Sequence, residues 1–258
     1  YNPAGGFSMQ DCNIGSHDPY SVMALGWADP YLPTESCSIT INTFQSSREC
    51  IILSNSWNEI DSPFDEYLVV ELYSPDGLNE YDHKHQYAPG RPTGPDEIGL
   101  RLWHVDARLL YGTMKDPNNF TCDPTIKTSK VMHMMSNTYN SSDARAYTTP
   151  LGSAYTKYNL LQLIRNEEIE TYQPNNSFDK YSLFKNGSKF SMGTFGKQFV
   201  NKAKLNSGKT LGWMFNVEIK DNSESSTSKG YVEVEYIEAD GTQYIDSGYM
   251  HNNSTEVI

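Results

Sequence analysis

Two of the six histidines lie close together, in the Tyr-Asp-His-Lys-His segment at residues 81–85. On an extended segment, side chains at positions i and i+2 point the same way, so His83 and His85 could bind one metal ion. The spacing shows no third ligand, and two exposed histidines on a solvated loop are the alternative. The sequence contains no H-E-x-x-H motif, which would supply two zinc ligands and a general base.

A third histidine, His104, lies two residues before Asp106 at the end of a predicted strand. An aspartate on the same strand face could hydrogen-bond to the imidazole and fix its tautomer. Such a pair would suit substrate binding or general acid–base chemistry. The alternative is a structural histidine that supports the end of the strand.

Acidic residues Asp61, Asp65 and Glu66 surround a Ser-Pro-Phe turn at residues 62–64. Carboxylate oxygens are the ligands that calcium prefers, so calcium is a candidate cofactor. The D-x-[DN]-x-[DN]-G spacing of a calcium loop is missing, however, and a solvated acidic turn is the alternative.

The four cysteines, which are Cys12, Cys37, Cys50 and Cys122, include no C-x-x-C pair of the kind found in structural zinc sites. Cys37 and Cys50 flank two predicted strands and could face each other. A disulfide between them and two free thiols are both open at this point.

The composition excludes several classes of protein. The 258 residues carry 20 Lys and Arg against 32 Asp and Glu, a formal net charge of −12. This acidity argues against a nucleic-acid partner, because phosphate binding needs clustered basic residues. The longest apolar stretches are too short to span a bilayer. The 18 tyrosines, together with many Asn, Ser, Thr and Gly residues, favour a β-rich extracytoplasmic protein.

The elements that must position these residues are mostly strands. A short helix is predicted over residues 18–27, because Asp18 can cap it and Pro19 suits its first position. Alternation and β-branched runs predict strands at residues 38–42, 50–53, 66–73, 98–105, 131–135, 160–164, 212–219 and 231–237. Residues 221–230 have the composition of a linker.

Three stretches together resemble one family. The first runs from Gly5-Gly6-Phe7-Ser8-Met9 to Ala24-Leu25-Gly26-Trp27, the second is Ser-Pro-Phe-Asp-Glu-Tyr-Leu at 62–68 leading to Gly-Leu-Asn at 77–79, and the third is Gly-Leu-Arg-Leu-Trp-His-Val-Asp at 99–106. Their order and spacing resemble the immune-inhibitor-A-like family of secreted bacterial zinc metalloproteases. The likeness covers roughly residues 5 to 220 and thins after about residue 110.

The resemblance implies a fold and an activity. Met9 matches the family's Met-turn methionine, which packs beneath the zinc-binding imidazoles. Residues 1–30 would be the end of a zincin-type catalytic domain, and residues 31–220 a β-rich, sandwich-like domain that follows it. The zinc would lie on an H-E-x-x-H helix upstream of Tyr1, so no catalytic residue and no zinc ligand is assigned within this chain. His104 and Asp106 match a His-Val-Asp in the family, on the substrate side or as structural residues.

A weaker resemblance lies at residues 231–249, which look like the opening of a concanavalin-like β-sandwich of bacterial surface proteins. Such domains often bind glycans or act as adhesive spacers. Residues 231–258 would then be the truncated start of a further domain, joined by the linker at 221–230.

The sequence therefore predicts the C-terminal portion of a secreted zinc endopeptidase that acts on proteins or peptides and is inactive as an isolated chain. A non-catalytic cell-surface module that binds glycans or proteins is the alternative, with Trp57 or Trp103 as sugar-stacking residues. A catalytically dead homologue of the protease is a third reading. Residues 1–28 are expected to be mobile or to expose Phe7, Met23 and Leu25, because their partners in the catalytic domain would be missing.

Overall fold

The structure is a computed structural model. It describes residues 4, 5, 7, 15–55, 64–86, 88, 89, 93–112, 131–135, 137, 145–149, 152–156, 158–167, 179–220 and 231–238. For residues 109–112, 131–134, 145–149, 152–156, 220 and 231–238 it describes the backbone alone.

These residues form a β-rich fold with a few short helices, as the sequence predicts. The strands are β1 Asp29–Tyr31, β2 Cys37–Asn42, β3 Glu49–Leu53, β4 Glu66–Tyr73, β5 Gly99–Asp106, β6 Leu109–Gly112, β7 Val131–Met134, β8 Arg145–Thr149, β9 Gly152–Thr156, β10 Leu161–Ile164, β11 Lys189–Ser191, β12 Met214–Lys220 and β13 Tyr231–Glu238. The helices are α1 Pro19–Ala24, α2 Phe44–Ser47, α3 Glu80–Lys84 and α4 Met192–Phe195, with 3₁₀ turns at Gly77–Asn79 and Gly196–Gln198. Each predicted strand is present, with its ends shifted by at most two residues.

The strands form three sheets. A five-stranded sheet has the order β1-β3-β4-β5-β10, in which only the β1–β3 pair is parallel. A four-stranded antiparallel sheet has the order β11-β12-β13-β2, and another has the order β6-β7-β8-β9. Strand β13, predicted as the start of a further domain, is thus hydrogen-bonded between β12 and β2. The proposed division of the chain into domains stays a prediction.

Strands β4 and β5 are buried along their whole length, on both faces. One face, which includes Leu68, Val70 and Leu102, packs against Phe215 and Val217 of β12 in one apolar cluster. The other face packs against the N-terminal segment, in a second cluster. Burial on both faces explains why β4 reads as a near-continuous apolar run rather than as a simple alternation.

The N-terminal segment is packed on the sheet rather than detached from it. Asp18 caps α1 by accepting a hydrogen bond from Ser21 N at 2.8 Å, as predicted. Tyr20, Val22 and Phe7 belong to the buried cluster on the second face of the five-stranded sheet. The expectation that Phe7 would be exposed is therefore wrong, because this sheet supplies the partners that we expected from elsewhere. Leu25, at the end of α1, is 53% exposed, as expected.

Gly196 controls the path of the loop at residues 196–207. A Cβ atom at this position would lie 2.5 Å from Ala203 Cβ and 2.9 Å from Ala203 N, which donates a hydrogen bond to Gly196 O. Lys202 and Ala203 both have positive φ angles, of 50° and 59°, so this tight turn is already strained.

We expect Gly196→Ala to lower the free energy of unfolding by about 1–3 kcal/mol, because the added methyl group has no space. Urea denaturation measures the change. Gly193→Ala is the matched control, since only Ser191 Oγ lies near its Cβ position, at 3.8 Å. Equal losses in the two variants would contradict the steric explanation.

Candidate functional site

A group of buried polar side chains lies where β4 begins and β5 ends. We call it the Glu66 cluster, and it consists of Glu66, His104, Asp106, Arg108 and Asn206. Glu66 and Asp106 are register partners, and their strands place both side chains on the same face of the sheet as His104. Asn206 comes from the loop that Gly196 shapes. All five residues are nearly inaccessible except Arg108, whose side chain is 12% exposed.

The carboxylate of Glu66 receives hydrogen bonds from every side. His104 Nε2 lies 2.9 Å from Oε1, Ser207 N donates to Oε2 at 2.8 Å, and Asn206 N donates to Oε1. Arg108 Nε lies 3.5 Å from Oε2. Burial alone would raise the pKa of Glu66, but the hydrogen bond and charge of His104, with Arg108 and Ser207, lower this pKa to about 2.

Asp106 has different partners. Arg108 donates to both of its oxygens, at 2.7 and 2.9 Å, and Asn206 Nδ2 donates to Oδ2 at 2.9 Å. His104 is therefore oriented by Glu66 and not by Asp106, contrary to the pair that the sequence suggested. The reason is the antiparallel neighbour: β4 brings a carboxylate to His104 that no local spacing in β5 could reveal.

The Glu66 cluster is arranged to hold a loop against the sheet rather than to act on a substrate. The imidazole also packs against the Phe199 ring, with centroids 5.2 Å apart, so loop and sheet enclose it. The backbone N–H groups of Asn206 and Ser207 donate hydrogen bonds to the Glu66 carboxylate. These bonds attach the loop at residues 196–207 to the sheet. Of the two roles predicted for His104 and Asp106, substrate contact or structure, the geometry favours structure.

A second buried ion pair lies on the opposite face of the same strands, and sequence reasoning missed it. Glu71 and Arg101 are register partners on β4 and β5, with side chains 0% and 2% exposed. Arg101 Nε lies 2.8 Å from Glu71 Oε1, although its N–H is not directed into a hydrogen bond. Trp103 Nε1 donates to the same oxygen at 2.7 Å. The signal was a pair of oppositely charged residues, Glu71 and Arg101, each flanked by apolar residues in its strand.

The Arg101 guanidinium lies between aromatic rings. Its carbon is 4.7 Å from the centroid of Tyr73 and 5.6 Å from that of Trp103. Burial raises the pKa of Glu71, although Arg101 and Trp103 act in the opposite direction. Trp103 is fully buried, so it cannot be the sugar-stacking residue of the alternative function. Trp57 lies outside the described residues.

His83 and His85 do not share a direction. His83 is in α3, and His85 follows as an extended C-terminal cap, so the extended segment that would align them is absent at this point. The His85 ring stacks on Tyr81 instead, with centroids 4.5 Å apart. The idea of a shared metal ion on these two histidines loses its geometric basis.

Cys37 and Cys50 are free thiols, in strands of different sheets. Burial and the nearby Glu71 raise the pKa of Cys50, which argues against a nucleophilic thiolate. Glu66 points into its buried cluster and is thus no part of a solvated acidic turn. Met9, Asp61, Cys12 and Cys122 lie outside the described residues.

The described part of the chain contains no group of three or more His, Cys, Asp or Glu side chains placed to hold a metal ion. Its helices are also too short and too polar to cross a bilayer. Comparisons with protein-family models, with curated proteins and with solved structures found no match to the chain.

Proposed function

We propose that this chain is the C-terminal portion of a secreted zinc-dependent endopeptidase that cleaves proteins or peptides. In this proposal, residues 1–30 complete a zincin-type catalytic domain and residues 31–220 form a β-rich domain packed on it. The proposal places no domain boundary before residue 231, because β13 pairs with β12 and β2 in one sheet. The chain alone has no peptidase activity.

The observation that carries the proposal is the packing of the three family-like stretches. Tyr20 and Val22, from the first stretch, lie in one buried cluster with Tyr67 from the second and with Trp103 and Val105 from the third. Stretches about 80 residues apart in sequence thus make a single packed unit, as expected if they were inherited together. The second stretch also pairs with the third where β4 begins, because residues 66–68 lie in register with residues 104–106.

The zinc ligands would not come from the described residues, which offer no fitting set. The proposal assigns them to an H-E-x-x-H helix upstream of Tyr1, where zinc would lower the pKa of a bound water. The role of this chain's own residues is to support that domain: α1 and its flanking segment pack on a sheet whose central strands, β4 and β5, are buried on both faces.

We expect the purified chain to leave casein intact, with or without added zinc, because its described residues include no group that could hold a metal ion to activate a nucleophile. Release of peptides is followed by fluorescence. Zinc-dependent cleavage by the pure chain, abolished by a chelator, would refute the assignment of the metal site to another part of the protein.

The coding sequence about 150 codons upstream of residue 1 separates the proposals. An H-E-x-x-H motif there, followed by cleavage of casein by the longer protein and loss of cleavage when that glutamate is replaced by glutamine, would support the endopeptidase. A complete domain without the motif would leave a dead homologue or a binding module.

A further inference from the structure

Exposed apolar side chains are concentrated in one short stretch. Half of the eight large hydrophobic side chains that are exposed in the described part of the chain lie within residues 25–32. Trp27 is 65% exposed and Tyr31 40%. We call residues Leu25, Trp27, Asp29, Tyr31 and Leu32 the edge patch. Such a concentration of apolar surface typically marks an interaction site.

The edge patch lies at the border of the five-stranded sheet. Strand β1 is the outermost strand, and β3 is its hydrogen-bonding neighbour. Pro30, in the middle of β1, has no N–H group to offer to an added strand. Recognition at this border therefore depends on side chains rather than on extension of the sheet.

The charge next to the edge patch is mainly negative, although Arg48, whose carbonyl oxygen accepts a hydrogen bond from Asp29 N, lies beside it. Residues 1–47 contain no lysine or arginine, and Asp29 lies in register with Glu49 of β3. Partial burial raises the pKa of Tyr31, and the negative charges of Glu49 and Asp29 raise it further, so both carboxylates act at this ring. The first basic side chain, Arg48, lies over the Phe44 ring, at 5.8 Å from its centroid.

Exposed aromatic rings beside carboxylates fit one chemical class of partner. An arginine or lysine side chain can stack on an indole or phenol ring while its charge faces a carboxylate. An acidic or purely apolar partner would leave Asp29 without compensation.

We propose that the edge patch is a docking site for a basic segment of another polypeptide, with Trp27 and Tyr31 as stacking surfaces and Asp29 as the charge partner. Glu49, whose Oε2 accepts hydrogen bonds from Asn42, adds negative charge beside it. This docking site does not depend on peptidase activity. A negative result in its test would therefore leave the proposed function untouched, and the reverse also holds.

Calorimetric titration of the chain with a hexa-arginine peptide at low ionic strength tests the proposal. We expect binding that weakens with salt, and an affinity about two- to five-fold lower in Trp27→Ala and in Asp29→Asn. Both side chains are exposed, so the variants should keep the unfolding midpoint of the parent chain.

Two control variants change an exposed carboxylate and an exposed ring elsewhere on the surface, both beside Lys180. The side chain of Asp96 is 58% exposed, and Tyr181 is 69% exposed. Asp96→Asn and Tyr181→Ala should leave the affinity unchanged. Equal losses in all four variants would show that the peptide follows net charge alone and would overturn the proposal. Self-association of the chain that Trp27→Ala abolishes, without peptide binding, would also overturn it.

Discussion

Replacing Arg101 with methionine is expected to lower the free energy of unfolding by about 3–5 kcal/mol, since the substitution leaves a buried carboxylate without its countercharge. Glu71 is fully buried, and its Oε2 atom has no hydrogen-bond partner among the described residues. Only the Trp103 N–H would then remain on Glu71. Urea denaturation at neutral pH measures the loss.

The pH dependence of this loss of stability, and a double variant at Arg101 and Glu71, show whether the unpaired carboxylate causes the loss. Burial already raises the pKa of Glu71, so this group takes up a proton readily, and the cost of Arg101→Met should shrink as the pH falls. Adding Glu71→Gln, which keeps an acceptor for Trp103, should recover most of the loss. Lys180→Met, which removes an exposed ion-pairing cation, should change stability little. A loss that is independent of pH and of Glu71 would instead indicate lost packing on Tyr73.

Replacing Glu66 with glutamine is expected to cost about 3 kcal/mol at neutral pH, which is the linkage free energy of a carboxyl group shifted from 4.5 to about 2. The side-chain amide of the glutamine would present an N–H group where the carboxylate now presents an acceptor oxygen. The donors Ser207 N and Arg108 would then face another donor. Urea denaturation measures this change as well, and Asn206→Ala should reproduce part of it.

The sign of the pH effect follows from the lowered pKa of Glu66. The cluster contributes its full stabilisation above pH 4.5, and this contribution is lost as the pH falls from 4.5 towards 2. The difference in stability between the parent chain and Glu66→Gln should therefore narrow as the pH falls from 4.5 towards 2. The pKa of Glu71 is shifted in the opposite direction. Both proteins contain Glu71, so its effect on stability cancels in the difference between them. A difference that does not vary down to pH 2 would contradict the ionised role of Glu66.

The strands and the first helix were predictable because their signals are local. The alternation in β5 correctly separated Leu100, Leu102 and His104 from Arg101 and Trp103. Asp18 and Pro19 marked the start of α1. Short edge strands such as β1 and β11 carry too few residues for a periodic pattern, and their pairing with longer neighbours defines them.

The candidate site was predictable only in part, because its partners are distant in sequence. His104 and Asp106 were identified, but Asn206 reaches Asp106 from 100 residues away, and no spacing rule indicates it. A shared metal ion on His83 and His85 requires an extended segment, but His83 lies in α3. The helix begins beside Asn79, whose side chain donates to Ser74 O and accepts from Ser16 N, and the second of these is a tertiary contact that spans 63 residues.

The pairing of β2 with β13 has a consequence for the synthesis of the protein. In its sheet, β2 is an outer strand whose hydrogen-bonded neighbour is β13. A ribosome that adds 5–20 residues per second needs roughly 10–40 s to make the about 190 residues between them. During that interval the nascent chain carries an open strand edge, a template for pairing with other chains. A chaperone or export factor that covers residues 37–42 until the chain is released would protect it from aggregation.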